Sequence, residues 1–102
     1  MGDVETYLAE AYLPRTREDG PRAAAARARV AVRQMRREGA PVGFLRSFFL
    51  LEDELWFCFY EARSADEVAE ASRRADLALG RIQRADYLES SAREKPEGVG
   101  SD

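Results

Sequence analysis

The hydrophobic pattern is densest between Phe44 and Ala62, FLRSFFLLEDELWFCFYEA, where two apolar runs flank the acidic break Glu52-Asp53-Glu54. The runs, Phe44 to Leu51 and Leu55 to Tyr60, are rich in the aromatic and long aliphatic residues that suit a pleated surface, and they predict a β-hairpin. Both parities of each run are largely apolar: Leu45, Phe49 and Leu51 against Phe44, Phe48 and Leu50, then Leu55, Phe57 and Phe59 against Trp56, Cys58 and Tyr60. A sheet with one solvated face would alternate apolar with polar residues, so these strands expect cover on both sides.

Val4 to Leu13 reads as a preceding strand that stops at Pro14, which cannot donate to a ladder. Its face Val4, Thr6, Leu8, Glu10, Tyr12 carries the Glu10 carboxylate among apolar neighbours, whereas the face with Ala9 and Ala11 is smoother. Thr16 and Asp19 resemble a capping box, and the helix they open is predicted to end at Glu38 with Gly39 and Pro41 as stop signals. Ala24, Ala28, Ala31, Val32 and Met35 form its apolar stripe; Arg22, Arg29, Arg33, Arg36 and Arg37 read as its solvated face. Ser64-Ala65-Asp66-Glu67 is a full capping box for a second helix with the inner stripe Val68, Ala69, Ser72, Ala75, ending near Asp76. Arg81 to Leu88 reads as the last strand.

The order strand, helix, strand, strand, helix, strand defines an α+β class: a ferredoxin-like βαββαβ unit, a four-stranded antiparallel sheet with two helices on one face. A single domain spans residues 1–89, and the polar, aperiodic stretch 90–102 reads as a disordered tail. Helices with small-residue faces cover one side of the sheet only. A second copy would cover the other, giving a homodimer in the form of a dimeric α+β barrel.

Sixteen basic against nineteen acidic residues leave a net charge of -3, which argues against nucleic acid and anionic membranes as partners. The start MGDVETYLAE lacks a basic flank and an apolar signal core, so a cytoplasmic location is expected. The single cysteine, Cys58, allows no internal disulfide, and there is no histidine. That absence removes Ser-His and Cys-His nucleophiles and imidazole metal ligands together.

The string LRSFF at 45–49, WFCFYEA at 56–62, Ser64-x-Asp66-Glu67-Val68 and the run into Arg81-Ile82 resemble domain-of-unknown-function family 4242, whose described member is a nickel-binding protein. Tyr7-Leu8-Ala9-Glu10 is similar to that family's first strand, and the likeness spans residues 6 to 86. The resemblance implies a ferredoxin-like fold that self-associates and nickel binding. Where a histidine-bearing helix followed by Gly and Pro would be expected, this chain has Ala71, Asp76 and Ala78. Nickel favours nitrogen and sulfur ligands, so no metal site carries over and no cofactor is expected.

Glu10, Tyr12, Arg46, Phe48, Trp56, Cys58, Tyr60, Arg84 and Asp86 are expected to share the sheet face away from the helices. Aromatic walls with a few polar groups make a pocket for a small aromatic or acidic metabolite between two sheets, the favoured function. The alternative is a cofactor-independent enzyme of the monooxygenase, isomerase or cyclase type, with Glu10 as general acid or base and Arg46 or Tyr60 holding an oxyanion. A third reading is a structural or regulatory interaction domain. Within the site, Glu10 paired to Arg84 or Arg46, Cys58 as a small buried hydrophobe and Trp56 and Tyr60 as packing residues are preferred over reactive roles.

Overall fold

The computed structural model describes residues 3–13, 20–86 and 88. Its elements are β1 (Glu5–Tyr12), α1 (Gly20–Arg37), β2 (Gly43–Leu50), β3 (Leu55–Ala62), α2 (Ala65–Arg74) and β4 (Ala78–Ala85). The strands form one antiparallel sheet in the order β2-β3-β1-β4, the ferredoxin-like arrangement. The last strand begins three residues before the expected Arg81, because Ala78 and Leu79 pair with Tyr12 and Ala11 ahead of a bulge. The capping pair Thr16 and Asp19 and the tail 90–102 lie outside the described residues.

Both helices end where their sequences require. Gly39, at φ 101°, closes α1: its N–H donates to Arg36 and the Ala40 N–H to Met35, a Schellman motif. The same two bonds recur after α2, from Asp76 to Arg73 and from Leu77 to Ser72, with Asp76 in the left-handed region at φ 60°. At its other end Ser64 Oγ accepts from the Glu67 N–H at 3.3 Å, and Glu67 reaches back to accept from the Arg63 N–H at 2.7 Å.

The core lies between helices and sheet. Ala24, Ala28, Ala31, Val32 and Met35 of α1, the expected stripe, are all buried, with Val68, Ala71 and Ser72 of α2. Against these small residues the sheet sets its large ones, Tyr7, Trp56 and Tyr60, with Ala9, Ala11, Cys58 and Ala62 between them. Arg22, Arg29, Arg33, Arg36 and Arg37 are exposed, as expected of the solvated face of α1, and two arginines of the helical layer also fasten it. Arg74 bridges Glu38 of the α1 end and Glu70 at 2.8 and 2.6 Å, and Arg36 Nη1 donates to the Val42 carbonyl at 3.1 Å.

Candidate functional site

Strand pairing decides which side chains share the uncovered face. Read from β2 to β4, its rungs are Arg46, Phe59, Leu8, Gln83, then Phe48, Phe57, Glu10, Arg81, then Leu50, Leu55, Tyr12, Ala78. Beyond the first of these, Glu61 and Thr6 stand opposite each other. The β2 side of the face is apolar and exposed, with Phe48 54 % and Leu50 42 % accessible. The β4 side is polar, with Arg81 Nε 3.7 Å from Glu10. A basin of about 430 Å³ opens at one corner, lined by Thr6, Leu45, Arg46, Phe48, Phe59 and Glu61. Phe48 and Phe59 meet edge to face there, with ring centroids 6.2 Å apart.

Two bulges shape this face. One falls between Phe44 and Arg46: Phe44 pairs with Tyr60 and Arg46 with Phe59, so Leu45 is the extra residue. It turns Phe44 towards the helices, edge-on to Tyr60, while Phe48 stays on the open side, although the two share sequence parity. The other bulge lies in β4, where Leu79 pairs with Ala11 and Arg81 with Glu10. A side chain at the intervening Gly80 would stand 3.3 Å from the Glu10 carbonyl oxygen, so glycine fits the bulge.

The nine expected site residues do not converge. Arg46 and Phe48 are together in the basin. Glu10 is on the same face but outside the basin lining, and its partner is Arg81 rather than Arg84 or Arg46. Tyr12 stands on the far rung, where its hydroxyl donates to Glu54 at 2.8 Å; that bond and the Glu54 charge raise the phenol's pKa. Arg84 pairs with Glu5 at 3.2 Å, and both border a polar hollow with Asp86 at the opposite strand ends.

Trp56, Cys58 and Tyr60 belong to the other face. They pair with Ala11, Ala9 and Tyr7 and are almost fully buried beneath the helices, so the expected single cleft is corrected to two separate surfaces. Opposite residues in an antiparallel pair share a side, and a one-residue error in register transfers a whole strand's set. Burial pushes the Cys58 thiol up to about 12, which keeps it protonated and poorly nucleophilic. Tyr60 is likewise pushed far above its ordinary value by burial, then by Cys58, while the neighbouring Ser72 hydroxyl pulls the other way. Neither of those hydroxyls reaches a partner at hydrogen-bonding geometry.

Thr6, Leu45, Phe59 and Glu61 complete the basin and were not expected there. With large aromatics on both parities of β3, the sequence held no signal for which set faces the helices; Trp56 and Tyr60 turn inwards, and Phe57, Phe59 and Glu61 therefore outwards.

The donor set does not suit a nickel centre. Among the described residues no three of His, Cys, Asp and Glu come together, the chain has no histidine, and the Cys58 thiol is buried and protonated. Also among the described residues, no helix is long and apolar enough to cross a membrane.

Sheet order, paired helices and an aromatic open face define a ferredoxin-like α+β domain. The family described as Nickel responsive protein SCO4226-like matches residues 7–84, well over half of the chain, and the chain belongs to that family. The matched span falls within the stretch 6–86 that carries the resemblance seen in the sequence. No curated protein and no solved structure matches the chain.

Proposed function

We propose that the chain is a homodimeric binding domain that holds a small organic molecule between two apposed sheets, without a metal. The observation that carries this reading is the uncovered face itself, where Tyr12, Leu45, Phe48 and Leu50 are each more than two-fifths exposed. Apolar surface gathered on one side of a small protein is stabilised by removal from water. Four strands of eight residues present about 500 Å² in plan, and side-chain relief brings this towards the roughly 800 Å² per partner of a stable interface.

The face is complementary to itself. A two-fold axis parallel to the strands sets β2 of one copy over β4 of the other. Phe59 then meets the partner's Leu8, Leu55 the partner's Tyr12, Arg46 the partner's Gln83 and Glu61 the partner's Thr6. Phe48 meets the partner's Arg81 as a cation over a ring. The basin is then roofed by the partner's Gln83, Arg81, Leu8 and Thr6. Its size lies within the range of about 300–1,000 Å³ common for small-molecule sites.

On this reading Glu10 and Arg81 are a framework ion pair, and Glu10→Gln retains fold, dimer and ligand. Native mass spectrometry of protein purified from its own host tests the proposal. The expected spectrum shows a dimer that releases an organic molecule on activation. A monomer, or a dimer with no adduct whose basin is filled by partner side chains in a crystal, rejects it.

A further inference from the structure

Resting on the reading of the open face as a ligand site, we infer that the basin takes an uncharged aromatic molecule of more than one ring, its polar groups limited to hydroxyl or carbonyl. The floor selects the rings. Phe48 and Phe59 stand at 87° with centroids 6.2 Å apart, so a flat ligand laid parallel to one ring is edge-on to the other. Offset stacking and edge-to-face contact are the two arrangements that aromatic quadrupoles favour, and a saturated ligand of the same outline gains neither. Leu45, the extra residue of the β2 bulge and 44 % exposed, adds an aliphatic wall. An apolar cavity of about 150 Å³ suffices for a single benzene ring. The basin offers about 430 Å³, room for more than one.

The charged groups around the basin are already engaged within the protein. Arg46 interacts within the chain. Glu61 Oε1 and Arg36 Nη1 would stand 3.4 and 3.8 Å from a methyl group built on Gly43, so that carboxylate has a guanidinium for a neighbour. In the apposed dimer the partner's Arg81 comes over Phe48, and it brings its own Glu10, 3.7 Å from Nε.

A carboxylate or ammonium group entering the covered basin would therefore lose its water and either meet no free counter-charge or displace one of these contacts, and both are unfavourable. A neutral oxygen meets no such obstacle. Thr6, the cross-strand partner of Glu61, puts a hydroxyl at the rim that can donate to a carbonyl or accept from a phenol.

Isothermal titration of the full chain at pH 7 with 2-naphthol, 2-naphthoate, 2-naphthylmethylammonium and decahydro-2-naphthol tests this. The naphthol is expected to bind at least about tenfold more tightly than either ion, which must be desolvated without a partner. It is expected to bind about two- to tenfold more tightly than the saturated alcohol, the value of one aromatic contact. Phe59→Leu is expected to erase the margin over the saturated alcohol and to keep the margin over the ions; Phe48→Leu, on the neighbouring strand, should do the same if the first variant does not fold. Binding of either ion as tightly as 2-naphthol overturns the uncharged class, and equal binding of the saturated alcohol overturns the aromatic one; either result leaves the open-face ligand site standing. Heat from none of the four overturns the inference, and the ligand site then stands only if protein purified from its own host releases an adduct of another class.

Discussion

Phe48 stands edge-on to Phe59 at an interplanar angle of 87° on the sheet face that neither described helix covers, and it is 54 % exposed. An aromatic pair of this kind contributes about 0.5–1.5 kcal/mol beyond its burial, and here half of one ring stays in water. Replacement of Phe48 by Arg is expected to leave the monomer's stability within about 1 kcal/mol, since the site is a surface one. It is expected to abolish dimerisation, because the new cation would lie against the partner's Arg81 inside the interface. Light scattering coupled to size exclusion checks this, and a Phe48→Arg variant that remains dimeric rules out the sheet-face interface.

The element order, the α1 stripe and the α2 cap were legible because helix periodicity and capping chemistry are local. The candidate site was less so. Glu10, Tyr12, Arg46 and Phe48 lie on the expected open face, whereas Trp56, Cys58, Tyr60 and Arg84 lie on the opposite one. In strands apolar on both parities, the sequence pattern carries no sign of which parity faces the helices. The bulges at Leu45 and Gly80 are non-local as well, since each is fixed by the register of a neighbouring strand.

Ser64 supplies the side-chain acceptor for the Glu67 N–H at the start of α2. Ser64→Ala is expected to cost about 1 kcal/mol, a fall in Tm of roughly 4–8 °C for a domain of this size. Thermal unfolding followed by circular dichroism measures it. Ser64→Asp should restore most of the loss, since Asp caps as well as Ser and suits the positive helix end.

Cys58 and Tyr60 hold their protons in the folded chain to higher pH than their ordinary values of 9.0 and 10.0. Because the folded values are raised, the stability they contribute is fully present below about pH 9 and is lost as pH rises, first as Cys58 passes from 9.0 towards about 12. Each ionisation removes up to about 1.4 kcal/mol per pH unit in its window. The urea midpoint is therefore expected to show no contribution from these two groups between about pH 6 and 8 and to fall above about pH 9. Over the neutral range the native thiol should resist alkylation by iodoacetamide and react once the chain is unfolded. Rapid native labelling would show that Cys58 is not buried beneath the helices.

Nickel provides the sharpest contrast between family description and chain chemistry. Members of the matched family are described as nickel responsive, yet this chain offers no imidazole and a single thiol, 1 % exposed and held protonated. The remaining ligands are carboxylates, hard oxygen donors that bind a borderline cation weakly unless several converge, and no such group of three occurs among the described residues. Titration of the full chain with nickel chloride is expected to give no saturable heat at micromolar metal and no change in Tm. The dimer mass should also be indifferent to a chelator. A stoichiometric, saturable nickel signal would overturn the metal-free reading. If Cys58→Ala then abolished it, the buried thiol would be a ligand, and the core around Trp56 and Tyr60 would have to open for metal to enter.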